Sequence, residues 1–230
     1  MSVVLMLGSA PMVVQAEEWP RAFDTVVAIN NAWRVRPDWD FAIYPWDFDP
    51  SRVPVAAAAH TLVTEADFVP AQNRYGGFVY AGATMAYTAG YWALDALRPR
   101  VLAVFGCDMH YPAGQTHFYG TGTPDPLRAD ITLRSLEAKS VRLMAMAALQ
   151  GCAVVNLSTG PSRLMCPRAA LSDLAAVRPL AFDAFRVQAA QAREATLGYF
   201  APSGRYWEDL SAYDVAEIDR LDALWLACLP

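Results

Sequence analysis

"VVLMLGSAP", residues 3 to 11, decides how this chain is read. An apolar run closed by small residues, with "VVQAEE" behind it, has the outline of a secretory leader cleaved after Ala16. The same letters describe a buried β-strand entering a tight glycine turn. A leader starts with a basic segment, whereas the first basic residue here is Arg21, and Gly8 and Pro11 interrupt the apolar core. The strand reading is preferred. It keeps residues 1 to 16 in the folded protein and gives a cytoplasmic expectation.

Working outward, five more apolar runs repeat the pattern: Thr25 to Ile29, Phe41 to Tyr44, Thr61 to Thr64, Val101 to Gly106 and Ala153 to Leu157. Strands apolar at nearly every position are buried on both faces, as in a parallel sheet with helices on either side. Helical periods cover Ala83 to Leu97, Ile131 to Gln150, Ala181 to Leu197 and Val215 to Ala227. In the second, Leu133, Leu136, Val141, Met144 and Ala148 form the inward stripe. Arg134, Glu137 and Lys139 are expected to stay wet. The fold class is α/β, a three-layer α/β/α sandwich around a mostly parallel sheet. Residues 1 to 200 form the main domain. Residues 201 to 230, carrying Tyr206, Trp207, Tyr213 and Trp225, form a helical extension packed on that domain or on a second subunit, which leaves a homo-oligomer open.

The bulk numbers exclude several partners. A chain of 230 residues is long enough to bury a sizeable core. The net charge is -5, and the basic residues are seventeen Arg and the single Lys139 with no basic run, so nucleic acid is not an expected partner. No apolar stretch reaches the roughly 20 residues that a membrane helix needs, so no integral membrane segment is expected. The four cysteines show no CxxC spacing, and Cys107 and Cys152 sit in strand-like runs, so they read as reduced core residues.

The chemistry-bearing residues gather where strands end. Gly8 and Ser9 would put backbone N-H groups and a hydroxyl beyond the first strand, ahead of a helix N-terminus that favours anions. Asn30 and Asn31, after the second, either face a nucleotide or cap a helix; spacing leaves both readings open. Asp47-Phe48-Asp49 is a D-x-D of the kind that holds Mg2+ or Mn2+, and equally ordinary turn chemistry. The stretch 104 to 126 brings Asp108, His110, Tyr111, His117, Tyr119 and Asp125 together after one strand, where a histidine near neutral pH can serve as a base. A zinc site from Cys107, His110 and His117 is disfavoured, because the strand position turns the Cys107 thiol inward.

"LGSAP", "INNAW", "YAGATMAYTAGYWAL" leading into "VFGCDMHY", "HFYGTGTPD" and "VVNLSTGPSRL" follow one another between residues 3 and 170. In order and spacing they resemble the bacterial sialyltransferases of the lipooligosaccharide type. The wider superfamily includes motility-accessory and 6-hydroxymethylpterin diphosphokinase-like proteins. The resemblance implies a Rossmann-like nucleotide-binding domain that transfers a sugar from a CMP-type donor to a glycan acceptor with no metal required. It would place Gly8 and Ser9 near the donor phosphate, Asn30 or Asn31 near the nucleotide, Gly82 in the loop before a helix, and Asp108 beneath the donor. The chain departs from the family pattern at Tyr80-Ala81 and at Thr121, where the family carries a serine and a histidine. The base role therefore falls to His117 or His110, with Tyr119 and Arg128 as the groups expected to steady the leaving phosphate. The alternatives are a Mg-dependent diphosphokinase using Asp47 and Asp49 on a pterin-like substrate, and a non-catalytic nucleotide- or glycan-binding protein.

Overall fold

The computed structural model describes residues 2–111, 114–120 and 128–230. Six strands form one all-parallel sheet: β1 (Val3–Leu7), β2 (Thr25–Ile29), β3 (Phe41–Ile43), β4 (Thr61–Val63), β5 (Val101–Phe105) and β6 (Ala153–Asn156). Their order is β4-β3-β2-β1-β5-β6, so the opening stretch of the sequence is the central strand. It pairs Val4 with Thr25 on one side and Val3 with Val101 on the other. All five of its side chains are buried, and burying a Leu, Val or Met fully contributes about 1.5–3 kcal/mol each. A leader cleaved after Ala16 would remove the middle of the sheet.

Among the described residues the α-helices are α1 (Glu65–Arg74), α2 (Phe78–Ala81), α3 (Met85–Ala96), α4 (Leu136–Leu149), α5 (Ala184–Leu197) and α6 (Val215–Leu226). Right-handed crossovers explain where they lie. From β1 the chain steps in one direction through β2 and β3 to β4, and then crosses back to β5 and β6. Connections running in opposite directions must cover opposite faces. The return crossovers carry α1 to α4, on the face of Val4, Met6, Val27, Leu102 and Val154, and α5 and α6 follow β6 on the same side. The outward crossovers carry only 3-10 turns, Pro11–Glu18 and Asn30–Arg34, whose Val13, Ala16 and Ala32 cover Leu5, Leu7 and Ala28. The third layer of the sandwich is thus built of 3-10 turns and loops.

α4 corrects one expectation. Lys139 is fully buried, because α5 and α6 close over the outer face of α4 and its charges are met there. Lys139 Nζ lies 2.8 Å from Asp222 Oδ1, and the Arg142 guanidinium donates to both Glu194 oxygens at 2.7 and 2.8 Å. A helix that reads as half-wet in isolation becomes buried almost all round. The extension beyond residue 200 packs on the domain, and the expected boundary falls between α5 and α6, two helices of one layer. All four cysteines are free and buried. No helix among the described residues is long and apolar enough to cross a membrane.

Candidate functional site

β1 and β5 are neighbours, yet the chain leaves them in opposite directions. Their carboxyl ends therefore flank the switch point where open parallel sheets bind ligands. Gly8 fits there because a Cβ would stand 2.3 Å from the Gly106 carbonyl oxygen and 2.6 Å from Cys107 Sγ. Gly8 N-H donates to the Phe105 carbonyl (2.8 Å) and Ala10 N-H to that of Gly106 (2.9 Å). The Gly8 amide, expected to face a phosphate, thus continues the sheet instead, and so does that of Ala10. In this turn the Ser9 amide and hydroxyl have no partner among the described residues, and the chain then enters a 3-10 turn at Pro11, with no α-helix dipole behind it. Gly8→Ala is expected to cost about 3 kcal/mol or more, since no rotamer change relieves a clash with backbone. The denaturant midpoint measures it.

A small cavity of about 110 Å3 opens beside this turn. The first turn of α3, Thr84 to Ala86, lines it, so the anion-favouring helix end comes from α3. His110, His117 and Tyr119 line it as well. The His117 ring stacks on Tyr119 at 5.1 Å, and its Nδ1 is 2.9 Å from Thr116 Oγ1. Partial burial lowers its pKa below the ordinary 6.5, which favours the neutral imidazole with a ring lone pair free. The Phe118 amide donates to the Ser9 carbonyl (3.0 Å), fastening this loop to the glycine turn.

A larger cavity of about 990 Å3 adjoins it, sharing Asn30, Met85 and Tyr119. It runs along the ends of β2 and β3. Asn30 adopts a left-handed φ of 53°, which asparagine tolerates better than most residues. The buried Oδ1 atoms of Asn30 and Asn31 have no hydrogen-bond partner among the described residues, although Asn31 is only 2% exposed. The N-cap of the following 3-10 turn is Ile29, with no side-chain bond, which sets aside the capping reading. Across the cavity Arg128 donates to Asp130 (3.0 Å) and to the Tyr206 hydroxyl (3.1 Å). Burial pushes the Asp130 carboxyl up, but hydrogen bonds from Tyr206 and Thr132, with the charge of Arg128, outweigh it and hold the pKa below the usual value. Arg52 pairs with Asp49 at 3.3 Å and Arg205 with Glu208 at 3.5 Å.

Gly8, Ser9 and His117 therefore meet at the small cavity, and Asn31, Asp47, Asp49 and Arg128 at the large one, with Asn30 and Tyr119 at the seam. Asp108 lines neither cavity. It is buried, accepting from Ser158 Oγ (2.6 Å) and Asn156 Nδ2 (2.9 Å), and it ties the end of β5 to that of β6. Gly82 also lines neither: its φ of 87° makes the turn after α2, and its carbonyl accepts from Gln72 Nε2 at 2.9 Å. The D-x-D is divided by its turn. Asp49 Oδ1 accepts from Ser51 N-H (2.9 Å) and Oγ (2.7 Å), capping Pro50–Arg52. Among the described residues no three metal-type side chains gather, and burial pushes the Cys107 thiol well up. Thr121 and Asp125 lie outside the described residues.

The segment Ser203 to Trp207 forms a wall of the large cavity, far along the chain from the strand ends where the sequence places the site. Gly204 packs close to Phe78 and Val69, and Asn73 Nδ2 donates to the Pro202 carbonyl at 2.7 Å. Its aromatic and Arg content is visible in the sequence, but its distance from the strand ends hides its place. Glu65 comes with α1, which apolar periodicity does not reveal, although Thr64 and Asp67 spell the capping box that starts that helix. No protein-family model matches the chain, and neither does any curated protein or solved structure.

Proposed function

We propose that the chain is a transferase that takes a sugar from a nucleotide-activated donor, of the CMP-sialic acid type its motifs resemble, and attaches it to a glycan. The observation that carries this reading is the pair of orphaned amide oxygens of Asn30, at the seam of the two cavities, and Asn31, beside it in the large one. A buried carbonyl without a partner costs about 1–3 kcal/mol, and sites that keep such a cost are commonly completed by a ligand. Donors on a base or ribose supply the missing bonds. The large cavity has the size of small-molecule sites, about 300–1,000 Å3.

The chemistry then rests on the chain's own groups. The donor phosphate sits in the small cavity, against Ser9 and the first turn of α3. With Nδ1-H donating to Thr116 Oγ1, His117 presents Nε2 to the acceptor hydroxyl and takes its proton as the new sugar-oxygen bond forms. The sugar-phosphate bond breaks, the electron pair leaves with the phosphate, and Tyr119 and Arg128 steady the charge from the seam and the adjoining wall.

Thermal unfolding with CMP, CDP, UDP and GDP at millimolar concentration tests the reading. A nucleotide at a hundred times its Kd stabilises the fold by about 2.7 kcal/mol. Asn31→Leu is expected to leave the free protein as stable as before, or more so, while abolishing the nucleotide shift. No shift with any of the four nucleotides removes the proposal.

A further inference from the structure

Among the described residues five aromatic side chains are strongly exposed, and three of them, Trp46 (70%), Trp207 (47%) and Tyr119 (39%), line the large cavity. Exposed aromatic surface gathered at one opening marks a binding face. Trp46 comes from the turn after β3 and Trp207 from the C-terminal wall, and Trp207 is held edge-on to buried Tyr206 at 5.3 Å between ring centres. The same opening carries four carboxylates, Asp47, Asp49, Glu65 and Asp130, against three guanidinium groups. Those of Arg52, Arg128 and Arg205 are already engaged by acids, whereas among the described residues no cation pairs with Asp47 or Glu65. The buried, unpartnered Asn31 Oδ1 belongs to the same cavity.

We infer that Trp46 and Trp207 are specificity-determining residues that clamp an uncharged sugar ring of the acceptor between apolar faces. Asp47 and Glu65 accept hydrogen bonds from its hydroxyls. The charge balance disfavours a phosphorylated or carboxylated ring at this end, while hydroxyls suit free carboxylates and the C-H face of a pyranose suits an indole. The clamp deepens the transferase reading and rests on it, since it names the acceptor. Trp207 lies beyond residue 170, where the resemblance to the sialyltransferases stops, so this half of the clamp comes from this chain's own tail.

A printed array of uncharged oligosaccharides beside their sialylated, uronic-acid and phosphorylated counterparts tests it, probed with the full chain and with Trp46→Ala, Trp207→Ala and Phe185→Ala. Phe185 is 79% exposed and lines neither cavity, so it controls for loss of surface aromatic area. The expected result is retention of uncharged glycans, weakened by about tenfold or more in each tryptophan variant and unchanged in Phe185→Ala, with all melting temperatures intact. Retention of acidic glycans only, no retention, or retention indifferent to both tryptophans overturns the clamp. If nucleotides shift the melt while glycans are not retained, the clamp alone fails. If glycans are retained without a nucleotide shift, the clamp stands and the transferase reading falls.

Discussion

Glu194→Leu is expected to lower the unfolding free energy by about 3–5 kcal/mol, the usual cost of removing one partner from a buried ion pair. Arg142 is almost wholly buried, and its guanidinium would keep only the Tyr91 hydroxyl and the Tyr75 carbonyl. Trp225 Nε1, which donates to Glu194 Oε1 at 2.8 Å, would be orphaned as well. The magnitude is large because two desolvated donors lose their acceptor at once. Urea unfolding of the variant measures it. The double variant Arg142→Met with Glu194→Leu is expected to recover most of the loss, because an apolar pair of similar volume leaves no buried charge behind. A single variant within about 0.5 kcal/mol of the parent, the range of ordinary surface substitutions, would mean that water reaches Arg142. The result bears on domain organisation too. Arg142 on α4, Glu194 on α5 and Trp225 on α6 share one network, so truncation after residue 200 is expected to unfold the chain and not to yield a trimmed domain.

That network also marks where reading the sequence stops. Strands buried on both faces are legible as unbroken apolar runs, and all six begin at the residues expected, with ends differing by one position at most. α4 is legible as a helix, but the burial of Lys139 is not. Its partner Asp222 lies 83 residues further on, and periodicity carries no information about what covers the second face of a helix. α1 is hidden by its low apolar content and by Pro70 inside it. At the candidate site, Gly8, Ser9, Asn30 and Asn31 are legible because small or polar residues just after strands mark the ligand edge of a parallel sheet, and His117 because a histidine stands in the long stretch that follows β5. Asp108 misleads for the same reason. An aspartate at a strand end reads identically whether its carboxylate faces a cavity or, as here, the neighbouring strand.

His117→Ala is expected to cut the proposed transfer by about 10²- to 10⁴-fold, the range that a positioned base contributes. The fold should survive, since the ring is half exposed and holds one side-chain hydrogen bond, to Thr116. Burial lowers the His117 pKa below 6.5, which fixes the direction of the pH dependence. In the proposed transfer the neutral ring is the base, so the rate should be level near pH 7 and fall as pH drops through that lowered pKa, where protonation removes the lone pair. A free histidine would begin to lose activity at higher pH. Rates of wild type, His117→Ala and His110→Ala from pH 5 to 8, measured with a nucleotide sugar that shifts the melt, separate the possibilities. His110 lines the same cavity but is exposed, and its variant should retain the rate. If the loss and the acid limb both follow His110, the base is the other histidine. If neither variant changes the rate while nucleotides still bind, the chain holds a donor without a base, and the cavity is a binding site only.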